Sequence, residues 1–322
     1  ANTEGAYNDM KASKAGHYPT FSLTGQNVLA QRHTSDNSKM RDDLGIKSRL
    51  NLYAWGGIQA AVERDKHKMA YYQYKYYETR EELANTISTL YLTALRAKES
   101  IAIAKRNIKR HEKFLADLRI ISKYDPGRRS EKTQAESRYL QALSNEANLQ
   151  KTLSVALSKL NKYSAKSLTE KDIVDPFGKQ NADQLIASFD KAQAKEHPSV
   201  KAQESEYNSA LSDIKVNKAS RYPSINLEGS ATHRDRSIAV TMSWDFYNKS
   251  SDYAVKKSHA VALSAKSRSD ELLRDIQERA ETAKVDMKQN EHRAKIAKLL
   301  IATQSKVAKD YEQQFYIANR TL

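Results

Sequence analysis

The groups able to do chemistry in this chain are plentiful but scattered. No two of the eight histidines sit at i,i+4, the spacing that places two imidazoles on one helix face for zinc. Cysteine is absent, which removes disulfides, thiol nucleophiles, Cys-ligated zinc and lipidated cysteine. There is no Gly-x-Ser-x-Gly, no Walker loop and no Gly-x-Gly-x-x-Gly. The 39 carboxylates spread along helical faces. No catalytic, cofactor-binding or metal-ligating residue is assigned, and the expectation is a protein that is not an enzyme. What does form a pattern is basic, polar and aromatic. Lys47, Arg49 and Asn51 share one side of an alternating segment. Tyr18, Tyr53, Trp55, Tyr222, Trp244, Phe246 and Tyr247 recur at the ends of such segments.

The elements that position these groups follow from where the breakers fall. The 322 residues contain 9 Gly and 5 Pro, none between Gly57 and Pro126 and none between Gly229 and Leu322. Both spans carry a heptad stripe. In the first it runs Leu83, Ile87, Leu90, Ala94, Ala97, Ile101, Ala104, Ile108, His111, Leu115, Leu118. The second runs from Leu273 and Ile276 through Met287, Ala294 and Ile301 to Tyr311 and Phe315 at the same alternating steps. Such a stripe faces a partner helix and implies left-handed supercoiling. A 60-residue helix is roughly 90 Å long. Residues 130–162 and 199–220 read as further helices, and the cluster Tyr71, Tyr72, Tyr74, Tyr76, Tyr77 reads as helix packing.

Two segments change to period 2. Over 44–54 the even positions are Leu44, Ile46, Ser48, Leu50, Leu52 and Ala54, against Gly45, Lys47, Arg49, Asn51 and Tyr53. Over 237–246 the even positions are Ile238, Val240, Met242, Trp244 and Phe246. These are strands, each preceded by another that begins after Tyr18-Pro19 or Tyr222-Pro223. Aligning the two prolines gives eight identities over positions 9–25. The unit is therefore helix, strand, strand, long helix, occurring twice. The first repeat spans 1–178, with a hairpin at about 18–55 and long helices at about 58–122 and 130–162. The second spans 179–322, with a hairpin at about 222–247 and a helix at about 250–322 that is incomplete at its C-terminal end.

Four amphipathic strands cannot close on themselves, and open edges are not tolerated in lipid. If the strands lie in a membrane, several chains must pool them, and about 12 strands from a trimer fits the usual barrel sizes. The aromatics then form an interfacial girdle, and Lys47, Arg49 and Asn51 line a wet lumen. A charged fraction of 29% and a mean hydropathy of −0.78 exclude a bundle of apolar membrane helices, and the net charge is +15 with a pI of about 9.6. They also suit a different class, a basic coiled-coil scaffold on nucleic acid or an anionic surface. That alternative leaves the two matched hairpins unexplained. No signal-peptide pattern opens the chain, and it ends inside a helical pattern, so both ends are expected to be clipped.

Together these features resemble the TolC family of outer-membrane efflux and secretion ducts. The residues that carry the resemblance are the doubled Tyr-Pro strand starts, Leu52-Tyr53-Ala54-Trp55-Gly56-Gly57 with Ala60-Ala61-Val62, Asp125-Pro126-Gly127-Arg128-Arg129-Ser130, and the ending Tyr311 to Leu322. The resemblance implies a homotrimeric barrel in outer-membrane lipid of a Gram-negative bacterium, continued by an α-helical coiled-coil periplasmic tunnel. It implies a periplasmic adaptor and an inner-membrane ABC or other pump as partners, no cofactor and no nucleic acid. Arg320 falls on a gate position. Phe315 stands where the family can carry Tyr, and Thr133 where it commonly carries Asp, departures that put the usual latch in doubt. Asp125-Pro126-Gly127 is expected to form the adaptor-docking tip, with fixed φ at Pro and positive φ at Gly. Pro126-Gly127-Arg128-Arg129-Ser130-Glu131 resembles the type I secretion branch exporting large adhesins or toxins more than the multidrug-efflux branch.

Overall fold

The computed structural model describes residues 1–27, 42–178, 180–189, 194–232 and 235–316. Its elements are α1 (Asn2–Ala15), β1 (Thr20–Asn27), β2 (Asp42–Tyr53), α2 (Gly57–Tyr124), α3 (Arg129–Asn161), α4 (Ala182–Phe189), α5 (Pro198–Ala219), β3 (Ser224–Thr232), β4 (Arg236–Ser243) and α6 (Lys249–Tyr316). Several helix ends fall at breakers, α1 before Gly16 and α2 just before Pro126. Pro198 opens α5, where its missing N–H costs nothing, and α2 starts at Gly57. The chain divides into two units, Ala1–Glu78 with Ala192–Ala280, and Thr79–Lys191 with Glu281–Leu322.

The first unit holds a four-stranded antiparallel sheet in the order β1-β2-β3-β4. β2 pairs with β3, so the two hairpins merge: Thr20 lies opposite Arg49, Arg49 opposite Glu228, and Glu228 opposite Ala239. Opposed residues share a face. One face is therefore Phe21, Leu23, Ile46, Leu50, Leu227, Ile238, Val240 and Met242. The other is Thr20, Ser22, Lys47, Arg49, Asn51, Asn226, Glu228 and Ser230. The apolar face is exposed in the single chain, with Phe21 73% and Ile238 82% accessible, as are Lys47 and Arg49 on the polar face.

The strict alternation expected for β2 stops short of its end. The register shifts between Asn51 and Tyr53, so Tyr53 lies opposite Ile225 and joins the apolar face rather than the odd-numbered polar one. One inserted residue reverses the side-chain parity.

Helices of the first unit pack through small residues and a polar cluster. Ser199, Ala202, Ser205, Ser209 and Ser212 of α5 are buried. The Ser209 hydroxyl donates to the Arg64 carbonyl at 3.0 Å and that of Ser205 to the Lys201 carbonyl at 2.8 Å, so burial leaves both satisfied. Arg64 pairs with Asp65 at 2.8 Å and reaches Asp213 of α5 at 3.4 Å, while Ser13 of α1 donates to Asp65. A Cβ on Gly57 would stand 3.1 Å from the Ala219 methyl, a close approach of α2 to the end of α5. Of the tyrosine cluster, Tyr71, Tyr72 and Tyr74 are half-buried, but Tyr76 and Tyr77 are exposed. The packing expectation therefore does not extend to those two. Lys68 lies over the Tyr71 ring at 4.7 Å and bonds Glu206 at 2.6 Å.

In the second unit α2 packs on α3. Ala94, Ala97 and Ile101 meet Leu153, Ala156 and Leu160, with Ile173 from the following segment; Leu115 and Leu118 meet Ala135. The segment after α3 is fastened to α2 by polar bonds. The Tyr91 hydroxyl donates to the Val174 carbonyl at 2.7 Å and accepts from its N–H at 2.9 Å, and Lys98 donates to the Ile173 carbonyl at 2.7 Å. Glu291 of α6 accepts the Ala182 N–H at the start of α4 at 3.1 Å.

Candidate functional site

The polar face of the sheet forms a concavity of about 500 Å³ lined by Thr20, Ser22, Lys47, Arg49, Glu228 and Ser230 among others. Arg49 and Glu228 face each other across the β2–β3 ladder, with guanidinium nitrogens 2.6 and 2.7 Å from one carboxylate oxygen. The amide of Asn51 donates to that of Asn226 at 3.0 Å, and the hydroxyls of Ser230 and Ser237 lie 2.8 Å apart. The surface is a water-compatible wall: short polar side chains, one neutralised ion pair and one lysine. Lys47, Arg49 and Asn51 lie together on this face of the sheet. Glu228 and Asn226 were missed, although Ser224, Asn226, Glu228 and Ser230 alternate in the sequence and mark a second polar edge.

The aromatics gather where strands meet helices. The Tyr53 and Trp55 rings lie edge to face at 5.1 Å, Trp55 stacks on Tyr222 at 5.0 Å, and Trp244 meets Phe246 at 6.4 Å. Each indole is tied to the backbone between α5 and β3. Trp55 donates to the Pro223 carbonyl at 2.7 Å, and Trp244 to the Arg221 carbonyl at 3.1 Å. Trp55 holds a φ of 53° and Gly56 one of 75°. A bulky residue in the left-handed region is strained by about 1–3 kcal/mol, and it persists where bonding and stacking over-determine it. Tyr18 and Tyr247 are exposed.

The turn after α2 departs from expectation. Gly127 is not in the left-handed region. Pro126–Arg128 form instead a single 3-10 turn, capped by the Asp125 carboxylate, which accepts the Gly127 N–H at 3.0 Å. Proline's fixed φ and an Asp cap suffice, so no positive φ is required. Arg128 pairs with Glu131 at 3.2 Å, Arg129 and Ser130 are exposed, and Tyr124 is 86% accessible. Thr133 donates to the Arg129 carbonyl at 3.2 Å within α3. Phe315 lies in the last turns of α6, and Arg320 lies outside the described residues.

Burial opposes the charge on Asp65, but hydrogen bonds from Arg64 and Ser13 and the charge of Arg64 outweigh it. The carboxyl therefore sits below its ordinary range. Among the described residues no group of three or more His, Asp or Glu could hold a metal ion, and no helix is long and apolar enough to cross a membrane.

An antiparallel sheet with one apolar and one polar face, joined to helices of 68 residues, is the fold of the TolC-type outer-membrane channels. The family model for outer membrane efflux proteins matches residues 1–165, and the chain belongs to that family. Solved structures share the fold over nearly the whole chain. The Campylobacter jejuni CmeC outer membrane channel is 13% identical with a TM-score of 0.79, covering 100% of this chain and 73% of its own. VceC, an outer membrane protein of Vibrio cholerae, is 14% identical at 0.75, covering 100% and 82%. The open-state MtrE outer membrane channel of Neisseria gonorrhoeae is 14% identical at 0.74, covering 98% and 75%. No curated protein matches the sequence.

Proposed function

We propose that three copies of this chain pool their sheets into one closed barrel in the outer membrane, and that the long helices continue it as a periplasmic tunnel. The observation that carries this is the sheet itself. Its apolar face is open to solvent in the single chain, and among the described residues the outer edges of β1 and β4 are unpaired. The bare apolar face is untenable in water, and the open edges are untenable in lipid unless sister sheets complete the wall. A basic soluble scaffold leaves that face unexplained. Fractionation and cross-linking test the reading. Recovery from outer membranes only with detergent, as a cross-linked trimer, is expected; a soluble monomer overturns it.

In this reading the two repeats are 1–178 and 179–322, and the aromatics from Tyr18 to Tyr247 mark the periplasmic boundary of the outer membrane. The duct is a passive conduit, and a partner pump reached through a periplasmic adaptor supplies the energy. The tip from Asp125 to Ser130 receives the adaptor; its exposed Arg129 and Tyr124 suit a docking surface. Arg320, with Phe315 and Thr133 near it in role, latches the periplasmic end. Arg320→Ala is expected to raise conductance in planar bilayers, and unchanged conductance ends the latch assignment.

The tip sequence Pro126 to Glu131 supports type I secretion of a large protein as the cargo route. The family match, to outer membrane efflux proteins, favours small-molecule efflux as the second reading. Deleting the gene separates them: loss of one large extracellular protein supports the first, and a drop in drug tolerance alone supports the second.

A further inference from the structure

We infer that the barrel wall carries an uncompensated positive ring at Lys47 and therefore favours anions along this part of the path. The inference rests on the lumen reading of the polar face and adds the sign of the charge that cargo and ions meet there. Apart from Asp43 near the far end of β2, the charged residues of the described strands on that face are Lys47, Arg49 and Glu228. Arg49 and Glu228 cancel each other at 2.6 Å. Lys47 is exposed and lies opposite Ser22 on one side and Ser230 on the other. No acidic group among the described residues pairs with it. Asp43 takes a register position on the same face, four residues along β2. The two Cα atoms are about 13 Å apart at the usual rise per residue, longer than the screening length of about 8–10 Å at physiological salt. Threefold closure would set three such lysines at one level, in a wall otherwise made of hydroxyls and amides. The chemistry favoured is that of small inorganic anions and of carboxylate- or phosphate-bearing stretches of cargo.

The sequence alone left this open, because Lys47 and Arg49 read as two equivalent cations. The β2–β3 register separates them: Arg49 meets a carboxylate from 179 residues further along the chain, and Lys47 meets a serine.

The chain has no cysteine, so Ser230→Cys introduces a single thiol directly opposite Lys47. Its modification rates by the anionic sulfonatoethyl and the cationic trimethylammonium-ethyl methanethiosulfonates are compared in outer-membrane vesicles. Their ratio, normalised to that of a free thiol, cancels any change in thiolate fraction and reports the local potential. The parent is expected to favour the anionic reagent. Lys47→Gln should lower the ratio on the order of tenfold at low salt, the size expected for one charge a few ångströms away in water. Arg49→Gln should lower it too, because it leaves Glu228 unneutralised, and Glu228→Gln should raise it. All three changes should shrink in high salt. A ratio that ignores Lys47→Gln and Glu228→Gln overturns the ring while the lumen reading stands. An introduced thiol that neither reagent reaches overturns the lumen reading, and the ring with it.

Discussion

α2 and α6 are both 68 residues long, and both carry an apolar stripe at heptad spacing. Within the second unit the two stripes meet different fates. That of α2 is buried from Ala94 to Leu118 by Leu153, Ala156, Leu160 and Ala135 of α3, with Leu118 fully inaccessible. On α6, Leu299, Leu300 and Ile301 are exposed, Ile301 at 69%. A heptad pattern states that a partner helix is required, not where it comes from. α3 follows α2 through a three-residue turn and supplies it. In the last third of α6 the link that stands out is polar, Glu312 meeting Lys113 of α2 at 3.5 Å, while Ile301 stays open.

The sharpest way to break the contrast is to cut into both stripes. Leu118→Ala removes a fully buried side chain between two helices and should cost about 2–5 kcal/mol, read as a lower urea midpoint for proteolysis of the second unit. The two strand-to-helix junctions give the next effect. Trp55→Phe deletes the 2.7 Å bond to Pro223 while keeping a ring on Tyr222, and should cost about 1 kcal/mol. Trp244→Phe, at 3.1 Å, should cost less, and the two melting temperatures rank them. A third contrast is titratable. Asp65 has its carboxyl lowered in the fold, so its stabilisation is complete above the ordinary value of about 4 and fades as pH falls through the lowered one. Acid should therefore loosen the α1–α2–α5 cluster, and Asp65→Asn should show a shallower loss over that window when melting is followed against pH. The smallest effect belongs to Ile301→Ala, under about 0.5 kcal/mol in the single chain by the same proteolysis. A loss equal to that of Leu118→Ala would show that the α6 stripe is covered after all.

Much of this was legible in the sequence, and the gaps have physical causes. The absence of Gly and Pro delimits α2, because those residues interrupt a helix most cheaply, but it leaves the start of α6 at Lys249 unmarked. Alternation locates the strands, because the pleat has period 2. What stayed hidden depends on distance or on single residues. The pairing of Arg49 with Glu228 needs a register between hairpins, and nothing local encodes it. The irregularity at the end of β2 moves Tyr53 across the sheet without an unusual residue to announce it. Gly127 suggested a left-handed turn that a capped 3-10 turn replaces. The segment after α3, with α4 and the clasp of Tyr91 on Val174, has no periodicity strong enough to read.

The two indoles hold a mechanical implication. Trp55 leaves one hairpin and Trp244 the other, yet both are hooked onto the three residues Arg221 to Pro223. Trp55 does so from a backbone angle that few side chains tolerate, which leaves it little freedom to swing. Turning the top of α2 or of α6 about its own axis therefore tugs on a shared peg. The two rods are geared together at that level, and neither can be twisted without the other feeling it.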